Sequence, residues 1–178
     1  TGSSTSPFLN TGVMIDSKVY TIKTNPVYKG KEKPLRDILV DEKNVEEEFY
    51  VNNKDLKKWK YLKNSKQEER ETKDGFKCNY SGGSMIFPDD LDKASRTIIT
   101  GEGGSGPSRF KHVIAPPSNP KKLRRLTPIE LERLNMFPDD HTKLENVSNT
   151  KRAFLMGNAL VVGVIKKLGD SLYNFYEQ

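Results

Sequence analysis

The sequence predicts an α+β fold: a small, mixed, strand-rich N-terminal part followed by two C-terminal helices. Three observations predict it. Short β-branched runs separated by turn formers occupy the N-terminal part, a cluster of prolines interrupts the chain near residue 118, and beyond it apolar residues recur at helical spacing. A chain of 178 residues holds one domain of about 150 residues plus an appendage, which excludes a large multidomain enzyme. The first six residues, Thr1 to Ser6, are small and polar and carry no basic or apolar part of a signal peptide, so they are set aside as a polar tail or cloning remnant.

Between Pro7 and Leu39, Val13-Met14-Ile15 and Val19-Tyr20-Thr21-Ile22 predict a strand pair, punctuated by Asn25-Pro26 and Lys29-Gly30. The stretch from Asn53 to Lys73 carries Leu56, Trp59, Tyr61 and Leu62 among lysines and predicts a short helix with one apolar edge. Its basic side is either a solvated face or a grip on a phosphate backbone through Lys57, Lys58 and Lys60. Thr97-Ile98-Ile99-Thr100 is β-branched throughout and predicts a strand, followed by a glycine loop from Gly101 to Pro107 and a second strand over Arg109 to Ile114. The loop has the spacing of a dinucleotide fingerprint, but that site needs a helix opening at the last glycine and an acid about 20 residues on. Pro107 and a β-rich run take the place of the helix, and Lys121 to Arg125 supply basic residues where the acid should fall. No acidic residue lies between Glu102 and Glu130, while Arg109, Lys111, Lys121, Lys122, Arg124 and Arg125 are basic. That one-signed stretch beside a glycine loop argues for an anionic partner more strongly than the net charge of +6 does.

Three prolines within Pro116-Pro117-Ser118-Asn119-Pro120 cannot continue a helix or a central strand, which predicts a boundary between residues 7–118 and 119–178. After it, Thr127-Pro128-Ile129-Glu130 has the form of a helix start. Threonine caps, proline takes the first helical position, and the glutamate reaches back to close a capping box. This helix should run to about Asn135 and stop at Met136-Phe137-Pro138. A second, from roughly Asn158 to Tyr176, places Val161, Val164, Ile165, Leu168, Leu172 and Phe175 on one stripe. Gly163 and Gly169 lower its propensity and are expected where another backbone packs close.

One cysteine and two histidines exclude a disulfide framework and a cysteine-ligated zinc site. His141 adjoins Asp139 and Asp140, yet neighbouring loop residues lack convergent geometry, so no metal site is assigned. The longest apolar run, Ala159 to Ile165, ends at Lys166-Lys167, far short of the roughly 20 residues of a membrane span. A cytoplasmic protein is expected.

The strings Arg124-Arg125-Leu126-Thr127-Pro128-Ile129-Glu130-Leu131-Glu132-Arg133-Leu134, then Phe137-Pro138-Asp139, then Gly157-Asn158-Ala159-Leu160 resemble the C-terminal end of DNA (cytosine-5) methyltransferases. The first resembles that family's ninth conserved motif and the last its tenth, in the family's order. The region before the prolines would correspond to the target-recognition domain, whose Thr-Ile pair resembles Thr97-Ile98. Met136 stands where the family usually has glycine, and Leu160 where it has valine. The resemblance implies that the two C-terminal helices complete a Rossmann-like, S-adenosylmethionine-dependent domain.

In such enzymes a thiolate from a Pro-Cys dipeptide adds to C6 of a flipped cytosine, whose C5 then attacks the methyl of S-adenosylmethionine. The only cysteine here lies in Lys77-Cys78-Asn79, so this chain offers no catalytic residue of that kind and is expected to be inactive alone. It would be an expressed fragment or a split subunit, with the catalytic half in cis or in trans and S-adenosylmethionine bound only in the completed enzyme. The resemblance assigns Asn158 and Ala159 to the cofactor pocket, against a reading of Asn158 as a helix cap. It also places Thr97 at a phosphate beside the flipped base, against a purely structural threonine.

On and after the glycine loop, Ser105, Ser108, Arg109, Lys111 and His112 are the candidates for contact with double-stranded DNA. Arg109 is the candidate for bidentate readout of guanine, with solvated loop charge as the alternative. Arg124 and Glu130 are assigned to structure. The competing functional readings are a non-catalytic DNA-binding or regulatory module derived from such an enzyme, and a plain basic RNA- or ribosome-binding protein. A bacterial source and a restriction partner are what the family usually implies. The bare stripe from Val161 to Phe175 predicts self-association of the isolated chain.

Overall fold

A computed structural model describes residues 9–25 and 27–177. They form two compact units, one ending at Glu32 and one beginning at Lys33. The expectations for residues 1–6 lie outside the described residues.

The first unit is the strand pair expected from the sequence. β1 (Thr11–Ile15) and β2 (Lys18–Ile22) run antiparallel with Val13 opposite Tyr20 and Met14 opposite Val19. Asp16 and Ser17 form the turn with φ of 48° and 61°, the left-handed geometry that lets a two-residue hairpin follow the strand twist. Every residue of both strands is exposed.

The second unit has its core in Leu35, Ile38, Ile114, Leu126, Leu131, Ala153 and Met156. Leu35–Ile38 is a 3-10 turn whose two buried residues are Leu35 and Ile38. α1 (Leu56–Lys63) buries Trp59 and leaves Lys57, Lys58 and Lys60 exposed. The helix expected to reach residue 73 ends at Lys63. β3 (Lys66–Glu71) follows, pairing antiparallel with β4 (Lys77–Gly82) over six residue pairs. Gly75, at φ 79°, makes the turn between them possible.

Thr97–Ile99 forms no strand, and a 3-10 turn begins at Thr100. Of the strand expected over 109–114, only β5 (Val113–Ile114) forms, paired antiparallel with β6 (Arg124–Arg125). The proline cluster therefore lies within the second unit, spanned by a two-stranded ladder. The Phe87–Pro88 peptide bond is cis.

α2 (Pro128–Leu134) opens with the full capping box. Glu130 N–H donates to Thr127 Oγ1 at 3.3 Å and Thr127 N–H to Glu130 Oε2 at 2.7 Å. α3 (Asn149–Asn158), absent from the sequence reading, is capped by Ser148, whose hydroxyl accepts from Lys151 N–H at 3.2 Å. The terminal helix expected from about Asn158 to Tyr176 starts instead at Val162, because Asn158 closes α3, and α4 (Val162–Tyr176) has no buried residue. Among the described residues no helix is long and apolar enough to cross a membrane.

Close backbone approach occurs at glycines other than those expected. A Cβ on Gly157 would overlap the Thr100 backbone, and one on Gly103 would sit 2.8 Å from the Thr150 carbonyl oxygen, so α3 lies directly on the turn at Thr100–Glu102. Gly169 faces open space, and Gly163 meets only the Met136 side chain.

Arg124 and Glu130, both without exposure, tie these pieces together. Arg124 Nη1 and Nη2 donate to Glu130 Oε2 and Oε1 at 2.9 and 2.8 Å, and Nε donates to Glu42 Oε1 at 2.5 Å. Val40 N–H also donates to Glu130 Oε1, at 3.1 Å.

Replacing Glu130 with glutamine leaves a buried guanidinium with half its charge partner, which should cost about 3–5 kcal/mol in urea unfolding. A loss below about 1 kcal/mol would contradict that role. Gly157→Ala should cost about 1–3 kcal/mol through overlap, whereas Gly169→Ala should gain up to about 1 kcal/mol of helix propensity. Thermal melts of the pair check the contrast.

Candidate functional site

The glycine loop is built from the inside by cations. Lys111, 7% exposed, donates from Nζ to the carbonyls of Gly104 at 3.0 Å and Gly106 at 2.8 Å. Its own carbonyl accepts from Lys63 Nζ at 2.5 Å and Arg96 Nη2 at 3.3 Å. Arg96 also donates to the Phe110 carbonyl at 3.0 Å and, from Nε, to Asp89 Oδ1 at 2.7 Å. Asp89 in turn accepts from Val113 N–H at 2.8 Å. Glu102, buried below the loop, accepts from His112 N–H at 3.0 Å and lies 2.9 Å from His112 Nδ1. Ser95 Oγ sits 3.1 Å from His112 Nε2. An extended segment with almost no ladder partners exposes many carbonyls to desolvation, and each needs a donor. Here lysine and arginine side chains supply them.

This geometry sorts the candidates. Lys111 and His112 are internal and do not present their side chains at the surface. The Arg109 guanidinium donates to the carbonyls of Leu62 at 3.0 Å and Asn64 at 2.9 Å, and also to Gly83. Both of its terminal nitrogens are committed, so it fastens the end of α1 to the end of β4 and is not a free fork for guanine. Ser105 is exposed and Ser108 half-buried on the loop, and Phe110 is 48% exposed beside them. Phe110 was not singled out by sequence, where it reads as one apolar position in a strand.

A second feature is a cavity of about 460 Å³ in the second unit. Thr97 and Ile98 line one part of it, and Asn135, Met136, Gly157 and Ala159 another. Two sequence candidates, Thr97 and Ala159, thus meet at one cavity. Asn158 does not line it: this exposed residue closes α3, donating from Nδ2 to the Phe154 carbonyl at 3.0 Å. Asn135, buried at the end of α2, donates to the Met156 carbonyl at 2.8 Å and accepts from Val162 N–H at 3.0 Å, joining α2, α3 and α4. Its position after the last periodic residue of α2 marks it only as a helix end. Among the described residues no acidic residue lines the cavity. His141 stacks on Phe137 with ring centroids 4.7 Å apart, and Cys78 is exposed on β4.

The model of the C-5 cytosine-specific DNA methylase family matches residues 10–174. The chain is 39% identical over 165 residues to the type II methyltransferase M.Sau3AI of Staphylococcus aureus. That alignment covers 93% of this chain and 38% of the relative. No solved structure gives a significant match.

The loop's inner support has a pH signature. Burial, with Arg96 adding to it, pushes Lys63 down to about 8 from 10.5. Below pH 8 both folded and unfolded chains hold the proton, so the burial cost is constant. Between 8 and 10.5 the unfolded chain binds more protons, and stability rises with pH. This group contributes a rise of about 3 kcal/mol across that window. Lys63→Met removes it while leaving the Lys111 carbonyl its Arg96 donor. Urea midpoints of the two proteins at pH 7.5 and 10 should diverge in favour of the unsubstituted chain, and parallel curves would refute the assignment.

Proposed function

Because the chain belongs to the C-5 cytosine-specific DNA methylase family, we propose that it is the target-recognition and C-terminal portion of a DNA cytosine-5 methyltransferase. It binds duplex DNA sequence-specifically through the glycine loop and helps complete an S-adenosylmethionine pocket whose remaining wall and catalytic cysteine come from another segment. The observation that carries the partial-enzyme reading is α4. An amphipathic helix of 15 residues with none buried has an apolar face suited to cover by protein, as exposed stripes of this size usually mark interaction surfaces. Ile165, Leu168 and Leu172 are 44%, 57% and 60% exposed. The chain's 38% share of its relative's length leaves ample sequence for that cover.

The cavity fits one side of the cofactor. Ile38, Ile98, Met156 and Ala159 give it an apolar wall, with Lys33, Arg96 and Arg133 also in its lining. The ribose hydroxyls call for an acid, which this wall lacks and the other segment must bring. When bound, S-adenosylmethionine supplies the methyl group, while this chain's residues orient it and exclude water. Thr97 is exposed in the cavity lining, which supports its assignment, by family resemblance, to a phosphate near the reacting base. Ser105, Ser108 and Phe110 form the outward surface for the groove, with no acid in the loop beyond Glu102 to repel it.

Methyl transfer to duplex DNA from radiolabelled S-adenosylmethionine tests the reading. The full-length protein should methylate cytosine and this chain alone should not; turnover by the isolated chain would refute it. Duplex binding by the full-length protein without methyl transfer would support the regulatory module instead. In light scattering the isolated chain should self-associate with rising concentration, and Leu168→Glu with Leu172→Glu should abolish that.

A further inference from the structure

The loop presented to DNA is held in shape by a side chain that cannot itself touch DNA. Lys111 Nζ lies inside and bonds two carbonyls of the loop, Gly104 at 3.0 Å and Gly106 at 2.8 Å. Gly104, at φ 74°, adopts the left-handed backbone favoured by glycine. Both ends of the loop are fixed as well. Gly103 rests against Thr150 of α3. The carbonyls of Phe110 and Lys111 are held by Arg96 and Lys63, and His112 N–H by Glu102. Lys111 is buried and two of its three N–H donors are committed to the Gly104 and Gly106 carbonyls, so a phosphate would reach its ammonium only by displacing the loop, a cost a surface lysine does not carry.

We propose that Lys111 is a positioning residue for sequence recognition: it sets the backbone of residues 103–110 so that Ser105, Ser108 and Phe110 meet the base edges in one arrangement. The proposal rests on the reading that this loop faces DNA. Base readout depends on donor and acceptor positions to within a few tenths of an ångström, whereas phosphate attraction tolerates a loose loop. Losing Lys111 should therefore reduce discrimination between sequences and leave the electrostatic part of binding intact.

The test uses the full-length protein, a random-sequence duplex library, and two variants. Lys111→Met removes the inner donor. Gly104→Ala strains the same turn without altering charge, and its added Cβ would come no closer than 3.9 Å to Lys111 Nζ. Both should lower the enrichment of the preferred sequence over bulk DNA by about tenfold or more, a difference equivalent to about 1.4 kcal/mol. The slope of log affinity against log salt on bulk DNA should stay unchanged. A lost phosphate contact would reduce that slope by about 0.9.

Undiminished enrichment in Lys111→Met, folded by its thermal melt, overturns the proposal, as does a slope reduced by about 0.9. Should Lys111→Met fail to fold, Gly104→Ala decides by the same criteria. If the unsubstituted protein enriches no sequence, the DNA-recognition reading itself falls and this inference with it. Enrichment that persists only in the unsubstituted protein supports both.

Discussion

The bidentate pair between Arg124 and Glu130 is the constraint on which the second unit depends. One carboxylate closes the α2 capping box through Thr127, receives the guanidinium, and accepts from Val40 N–H. The guanidinium also reaches Glu42, and Arg124 forms an isolated bridge with Tyr50 while pairing with Ile114 in the β5–β6 ladder. Residues 40–42, Tyr50 and Ile114 are thus referred to one side-chain pair in the segment 124–130. A buried ion pair contributes little net stability over an apolar equivalent, but its directional bonds punish any other arrangement. In a unit whose sheets are only two-stranded, that specificity compensates for the register that a larger sheet would impose.

Scarce ladders also explain where much of the basic charge has gone. Lys63, Lys111, Arg124, Arg125 and Arg152 are all buried. Lys63 and Lys111 donate to carbonyls, Arg125 donates to the Glu48 carbonyl at 2.5 Å, and Arg152 bridges Glu132 and Asp140. Long cationic side chains can reach carbonyls that no neighbouring strand approaches, with several donors each. The positive balance read from composition is therefore partly an internal hydrogen-bonding resource, and the surface is less basic than the run from Arg109 to Arg125 suggests.

That double use of charge is why sequence reading succeeded unevenly. The α2 capping box and the β1–β2 strand pair were legible because each is set by a few adjacent residues. β3 reads as helix in sequence because Lys66–Glu71 is charged apart from Gln67 and has no β-branched residue; Asp74-Gly75 is the available turn signal. α3 leaves little trace in the sequence although Ser148 caps it, since of its buried residues, Arg152, Ala153 and Met156, only the last two are apolar. The resemblance assigns Ala159 to a cofactor pocket and Thr97 to a phosphate contact, and only the structure brings the two to one cavity. The roles of Arg109 and Lys111 were not, because pairing between a side chain and a distant carbonyl leaves no periodic trace. Gly157 and Gly169 look alike in sequence, and only tertiary contact separates a required glycine from a tolerated one.

The junction of the last three helices shows how a departure from the family pattern is absorbed. Met136, where the resemblance leads one to expect glycine, has φ 64°, a conformation that disfavours side chains by about 1 kcal/mol. Its neighbour Asn135 imposes it, because the Asn135 carbonyl is held by Val162 N–H and its amide by the Met156 carbonyl, so the chain must turn sharply between them and Phe137. A side chain at 136 then needs room against α4, and Gly163 provides it: a Cβ at 163 would overlap the Met136 thioether. The missing side chain on the helix and the extra one on the turn are complementary. Contact across this junction offsets the backbone strain, and the start of α4 stays fixed relative to α2 and α3 while its apolar stripe remains open.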